Sequence, residues 1–135
     1  MFLHQLNQEE KKAFITLAKE FIMVDGELSP EEEELLTQMM GELGITDGFK
    51  ENEYTRQQLF GMFKNRRARV ATIIEMQGLG YANMEYHTEE IAFIEEMAKA
   101  FDISDDELEG IDDWVVRQVA LLHEANDFWA EEPAR

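Results

Sequence analysis

The segment 25–34 is the part of this sequence whose residue types point most directly to chemistry. It holds six carboxylates and no basic residue. Hard divalent cations require several oxygen ligands, which converging carboxylates can supply. One interpretation is therefore a divalent-cation site, with the metal ligands Asp25, Glu27, Glu31 and Glu32.

A purely structural role explains the same carboxylates. Ser29 followed by Pro30 is a typical helix start, and Glu32 stands three residues after Ser29, at the capping-box position. Acidic side chains in a first helical turn also stabilise the helix, by about 0.3–1 kcal/mol each. Both interpretations remain open at the level of the sequence.

A weaker copy of this loop occurs further along the chain, where Asn83 and Met84 replace the acid and the glycine of the first loop. Its candidate metal ligands are Glu85, His87 and Glu89. A histidine among carboxylates can bind a transition metal. A surface histidine near acids also serves as a simple charge partner, so this second site is the weaker prediction.

Helices must position both loops, because apolar residues recur at the three- and four-residue spacing of buried helix faces. Shifted by 58 residues, the chain overlays on itself: Leu36 falls on Ile94, and Met39 falls on Met97. The pattern predicts an all-α fold, a compact bundle of about six to seven helices with an internal pseudo-two-fold repeat of a helix–acidic loop–helix unit.

The predicted organisation is one domain spanning residues 1–135. Its parts are two repeat units at about 8–47 and 66–105, a C-terminal helix at about 105–125, and an acidic tail at 126–135. Phe128 and Trp129 in the tail are expected to fold back onto the bundle; a docking peptide is the alternative.

The charge balance limits the classes of partner. With 30 acidic and 12 basic residues, the formal net charge is −18. Nucleic acids and anionic membrane surfaces should be repelled, whereas cations and basic protein faces should be attracted. The basic cluster at 64–69 is expected to neutralise carboxylates of this chain or of a partner. The oligomeric state stays open.

Several classes of chemistry find no support in the sequence. Cysteine is absent, which excludes disulfides, thiolate metal sites and thiol catalysis. No apolar run approaches membrane-spanning length and no signal-type N-terminus occurs, so we expect a soluble, cytoplasmic protein. His123 and Glu124 begin a zinc-protease motif, but Asp127 stands where its second histidine belongs. We therefore expect no enzymatic activity.

The chain resembles the TerB-like (tellurite resistance B) domain family in residues 21–36, in their echo at 85–94 and in the segment 101–104. The resemblance implies a compact helical fold in a bacterial cytoplasmic protein with a non-enzymatic role in resistance to tellurite or to other stress. It also implies cation binding by the carboxylates of the first loop. The alternative function is an acidic helical adaptor that docks a basic protein partner or a stress-response complex.

Overall fold

A computed structural model describes residues 2–24, 26, 28–81 and 87–129 of the chain. These residues form six α-helices and a short 3-10 turn at Leu3–Gln5, and they contain no β-strand. The prediction of an all-α helical bundle is confirmed. The helices are α1 (Gln8–Met23), α2 (Pro30–Leu43), α3 (Arg56–Phe60), α4 (Arg66–Gly80), α5 (Thr88–Ala100) and α6 (Asp105–Phe128).

Capping side chains define where most of these helices begin. An asparagine, serine or threonine before the first turn accepts a hydrogen bond from the third backbone amide of the helix, which satisfies one of the unpaired amides of that turn. In four helices a glutamate or glutamine returns the bond to the capping residue, completing a capping box. These pairs are Asn7 with Glu10, Ser29 with Glu32, Thr55 with Gln58, and Ser104 with Glu107.

Both the starts and the C-terminal ends of corresponding helices recur at the 58-residue offset. Asn7 caps α1 and Asn65 caps α4, while Gly44 and Asp102 follow α2 and α5 with left-handed φ values of 72° and 59°. After each of these two residues, the next backbone amide donates to the carbonyl five residues earlier, at 3.2 Å and 2.9 Å. Both helices therefore end in the same type of left-handed cap.

Helix α4 lies at the centre of the bundle and contacts α1, α2, α5, α6 and the N-terminal 3-10 turn. A cluster of phenylalanines fills the space beside it. Their rings meet edge to face with centroids 5.4–6.2 Å apart, a geometry that aromatic quadrupoles favour. The cluster comprises Phe21, Phe60, Phe63, Phe93 and Phe101.

Helix α6 is longer than the sequence analysis predicted. It continues to Phe128 because no glycine or proline interrupts it there, so residues 126–128 belong to the helix and not to the tail. Val115 is its only buried residue. Phe128 and Trp129 are 83% and 72% exposed, so the expectation that they fold back onto the bundle is wrong. Within the described ranges, no helix has the length and apolar character needed to cross a membrane.

Candidate functional site

The first acidic loop can be judged only in part, because Asp25 and Glu27 lie outside the described residues. Glu31 is exposed on the first turn of α2. Glu32 is 3% exposed, and its Oε1 accepts a hydrogen bond from the Ser29 backbone N–H at 3.0 Å. The Glu32 amide donates to Ser29 Oγ at 3.1 Å. The structure thus gives Glu32 the capping role, whereas Glu31 faces solvent.

The second acidic loop has a related geometry. Glu85 lies outside the described residues, and Glu89 is exposed. His87 is the N-cap of α5, and its backbone N–H donates to Oε1 of Glu90 at 3.1 Å. Glu90 is fully buried and is the counterpart of Glu32 at the 58-residue offset. In the sequence Glu90 stands among the acids of the second loop, and its spacing from His87, which matches that of Glu32 from Ser29, is the signal that indicates its capping role.

No arrangement of three or more His, Asp or Glu side chains within the described ranges could hold a metal ion. Three of the seven candidate ligands fall outside those ranges, and two of these, Asp25 and Glu27, belong to the first loop. The divalent-cation site therefore stays a prediction.

A pocket of about 310 Å³ lies between α4, α5 and α6. Four carboxylates line it, together with the polar side chains of one glutamine and one tyrosine, and among the described residues its lining holds no basic side chain. We call it the acidic pocket. Its polar residues are Gln77, Tyr81, Glu95, Asp105, Glu109 and Asp112.

Asp112 organises the polar side of the acidic pocket. Its Oδ1 accepts a hydrogen bond from Tyr81 Oη at 2.8 Å and a longer one from Gln77 Nε2 at 3.4 Å. Burial raises the pKa of the Tyr81 hydroxyl, and the hydrogen bond to Asp112 and the negative charges of Asp112 and Asp113 raise it further. Tyr81 thus stays neutral, keeps its proton on Oη and donates it in a hydrogen bond to the Asp112 carboxylate.

Gln77 leaves one polar atom of this pocket unsatisfied. The side chain is 2% exposed, and its Oε1 is buried without a hydrogen-bond partner among the described residues. Nε2 is the amide atom that faces Asp112, because only the NH₂ end can donate to a carboxylate. A buried acceptor without a donor costs about 1–3 kcal/mol, so this oxygen calls for an explanation.

A second cleft occupies the corresponding place in the first repeat unit, between α1 and the segment 47–56. Six of its lining residues stand 58 positions before residues that line the acidic pocket. The pairs used below are Lys19 and Gln77, Asp47 and Asp105, and Tyr54 and Asp112. Lys19 Nζ lies 3.8 Å from Asp47 Oδ1, so the first cleft carries its own ammonium group, whereas the second has an amide at that position.

The acidic pocket escaped the sequence analysis. Asp112 lies 31 and 35 positions after its hydrogen-bond donors Tyr81 and Gln77, so the three residues form no local motif. The only sequence signal is the 58-residue offset, which places Gln77 where the first repeat has Lys19.

The basic cluster at 64–69 binds groups of the same chain. Arg66 forms an ion pair with Glu107, and Lys64 Nζ donates to the Gly61 carbonyl at 2.8 Å. Arg69 Nε donates to the Phe63 carbonyl at 2.8 Å. The Arg66 ion pair agrees with the expectation that the cluster neutralises carboxylates of its own chain, whereas Lys64 and Arg69 bind backbone carbonyls instead.

The C-terminal part of α6 and the residue after it expose several large apolar side chains. These side chains lie within residues 116–129, which we call the α6 end: Val116, Leu121, Leu122, Phe128 and Trp129. Beside it, a groove of about 180 Å³ runs between α2, α4 and α6. We call this the α6 groove; Met39, Ile74, Val119 and Leu122 are among its apolar walls.

The resemblance to TerB-like domains rests on the loop and helix residues given above. Comparison of the chain with protein-family models, with curated proteins and with solved structures finds no match.

Proposed function

We propose that this protein is a non-enzymatic, acidic helical adaptor that docks a basic protein partner at the α6 end. The observation that carries the proposal is the group of five large apolar side chains exposed there. Single exposed apolar residues are normal on protein surfaces, but a contiguous apolar patch marks an interaction site. Here four of the five apolar residues lie on α6, Trp129 directly follows its last turn, and Leu122 also lines the α6 groove.

The net charge of −18 favours one kind of occupant. Two copies of this chain would repel each other, and the chain would also repel an acidic partner. A partner with basic residues around an apolar stripe would bind favourably for two reasons. Its stripe would be buried, and its basic residues would be attracted to the acidic surface of this protein. An amphipathic basic helix meets both conditions, since a helix can lay its apolar face into a groove of this kind.

The adaptor proposal is tested with two synthetic helical peptides that share one apolar face and carry either lysine or glutamate on the other. Fluorescence anisotropy with the full chain should show saturable binding of the lysine peptide alone. Because surface attraction is screened by salt, its affinity should fall as NaCl is raised from about 50 to 500 mM. Equal binding of the two peptides, or binding of neither, would overturn the proposal.

A TerB-like stress-response module that responds to a divalent cation is the second candidate function. The observation that favours it is the tight turn at the first loop, where Gly26 has a φ of 83° just before the capped start of α2. The candidate ligands remain Asp25, Glu27, Glu31 and Glu32.

Thermal unfolding in chelator, and then with Ca²⁺, Mg²⁺, Mn²⁺ or Zn²⁺, tests this second function. Saturation at roughly 100 times Kd adds about 2.7 kcal/mol, which raises Tm by roughly 10 °C for a domain of this size. Asp25→Asn should abolish the increase, whereas the matched change Asp47→Asn, outside the loop, should leave it intact. A small increase shared by all four ions and by both variants would contradict a specific site.

A further inference from the structure

We propose that the acidic pocket binds the ammonium group of an alkylamine, with the alkyl chain lying along the apolar wall of the pocket. The inference goes beyond the adaptor function, because it concerns a different surface and a different ligand. Four carboxylates on two helices line the pocket, and no basic residue of the described ranges joins them. Such a lining attracts a cation and repels phosphate and carboxylate ligands.

The first repeat unit indicates which cation fits. There the ammonium of Lys19 lies beside Asp47 in the corresponding cleft. The second repeat keeps the carboxylate as Asp105 but has Gln77 in place of the lysine. The acidic pocket therefore keeps, as Asp105, the carboxylate that faces the ammonium in the first repeat, and it adds the Asp112 carboxylate where the first repeat has Tyr54.

The side chain of Gln77 gives a second reason to expect an ammonium ligand, independent of the comparison between the repeats. Its amide is directed into the pocket, because Nε2 reaches Asp112 there, and its buried Oε1 has no donor among the described residues. Oδ1 of Asp112 accepts from both Tyr81 and Gln77. An ammonium group has three N–H donors; it can replace Gln77 Nε2 as a donor to the Asp112 carboxylate, and rotation of the Gln77 amide would then turn its oxygen toward the ammonium.

An organic cation fits this lining better than a metal ion does. A hard metal needs several oxygens converging on one point, and the described residues contain no such group. The carboxylates are instead distributed around a pocket of about 310 Å³, the lower end of the size range for small-molecule sites. Ile94 and Leu108 provide an apolar wall for a short alkyl chain.

The test titrates cadaverine into the full chain and follows backbone amide signals by NMR, with pentanediol as the uncharged control of similar shape. We expect saturable shifts confined to α4, α5 and α6 around the pocket, and none with pentanediol. Asp112→Asn should weaken binding about tenfold or more, because a charged hydrogen-bond acceptor is lost. Asp113→Asn, which changes the neighbouring exposed acid in the same way, should alter Kd by less than about twofold.

Gln77→Met is the second variant, in case Asp112→Asn impairs folding. It keeps the size and burial of the side chain but removes the amide oxygen, and it should also weaken cadaverine binding. Shifts spread over the whole surface, equal in Asp112→Asn and Asp113→Asn, would mean that the amine only screens charge, and would overturn the proposal.

The source of the ammonium group is settled by a third titration, with Nα-acetyl-lysine methylamide. Tighter binding of this compound than of cadaverine assigns the pocket to a lysine side chain of a protein. Tighter binding of cadaverine assigns it to a free amine. Binding of neither compound would contradict an alkylammonium site.

Discussion

At the residue scale, the carboxylates of this chain divide into those that hold the fold together and those that face solvent. Glu32 and Glu90 are buried where each accepts a hydrogen bond from the residue before its helix. Glu31 and Glu89, their immediate neighbours, are exposed. The capping role of Glu32 could be predicted from the Ser29-Pro30 start. The acidic pocket could not, since it joins residues from separate helices.

Replacing Glu32 tests this division. We expect Glu32→Ala to lower the free energy of unfolding by about 1–2 kcal/mol, because it leaves the Ser29 amide without its acceptor. The matched change Glu31→Ala should stay within about 0.5 kcal/mol, as exposed positions usually do. Urea unfolding measures both. Similar losses for the two variants would show that the cap is not what sets Glu32 apart.

Tyr81 gives the pocket a pH signature. Its pKa is raised in the folded protein by burial and then by the hydrogen bond to Asp112, whereas the unfolded chain ionises near the ordinary tyrosine value of about 10. The contribution of Tyr81 to the free energy of unfolding is therefore fully present below pH ~10. It decreases as the pH rises further, because the unfolded state then releases the tyrosine proton while the folded state retains it.

The comparison that measures this effect is wild type against Tyr81→Phe, by urea unfolding between pH 8 and 11. The difference in unfolding free energy should be constant up to pH ~10 and should shrink above it. A difference that stays constant through pH 11 would contradict a raised Tyr81 pKa.

At the element scale, helix starts follow the sequence closely and helix ends less so. Starts are encoded locally, by a capping side chain and its partner three residues on. The end of α6 has no such signal, and the helix passes its last buried residue, Val115, by more than three turns. Fold-back of Phe128 and Trp129 was predicted from their apolar character alone, but continuation of the helix carries both to an exposed position.

Gly44 tests the end of α2. Its φ of 72° is in the left-handed region, and an added Cβ would meet open space, so Gly44→Ala measures backbone strain alone. We expect a loss of about 1 kcal/mol.

Gly41 is the matched control, because it lies inside α2 and an added Cβ there would also meet nothing. Gly41→Ala should stabilise the protein by about 0.5–1 kcal/mol, since alanine loses less backbone entropy in a helix. Thermal unfolding of the two variants separates the effects. A stabilising Gly44→Ala would contradict the left-handed cap.

At the scale of the whole molecule, the internal repeat was visible in the sequence because core positions, loops and helix ends shared one offset. What the sequence could not reveal is how the two units have diverged in three dimensions. Lys19 and Gln77 occupy corresponding positions, yet Lys19 forms an ion pair with Asp47, whereas the buried Gln77 oxygen has no hydrogen-bond donor in the part of the chain that the structure describes. That difference depends on side-chain geometry, which helical periodicity does not encode.

The net charge of −18 should make the fold sensitive to ionic strength. Raising NaCl from about 50 to 500 mM should increase Tm by a few degrees, because salt screens the repulsion between carboxylates. KCl should act equally, since screening does not depend on the identity of the monovalent cation. A fall in Tm with salt would mean that attractive surface ion pairs outweigh the repulsion.

Docking of a basic amphipathic partner at the α6 end is tested by the affinity of the lysine peptide for two matched variants of this protein. Leu122 and Leu28 are both about half exposed, but of the two only Leu122 lines the α6 groove. We expect Leu122→Asp to lower the affinity by about tenfold or more, because the apolar contact between the peptide and the α6 groove is lost. Leu28→Asp should leave the affinity within about twofold of wild type. Equal affinities for both variants and wild type would contradict docking at the α6 end.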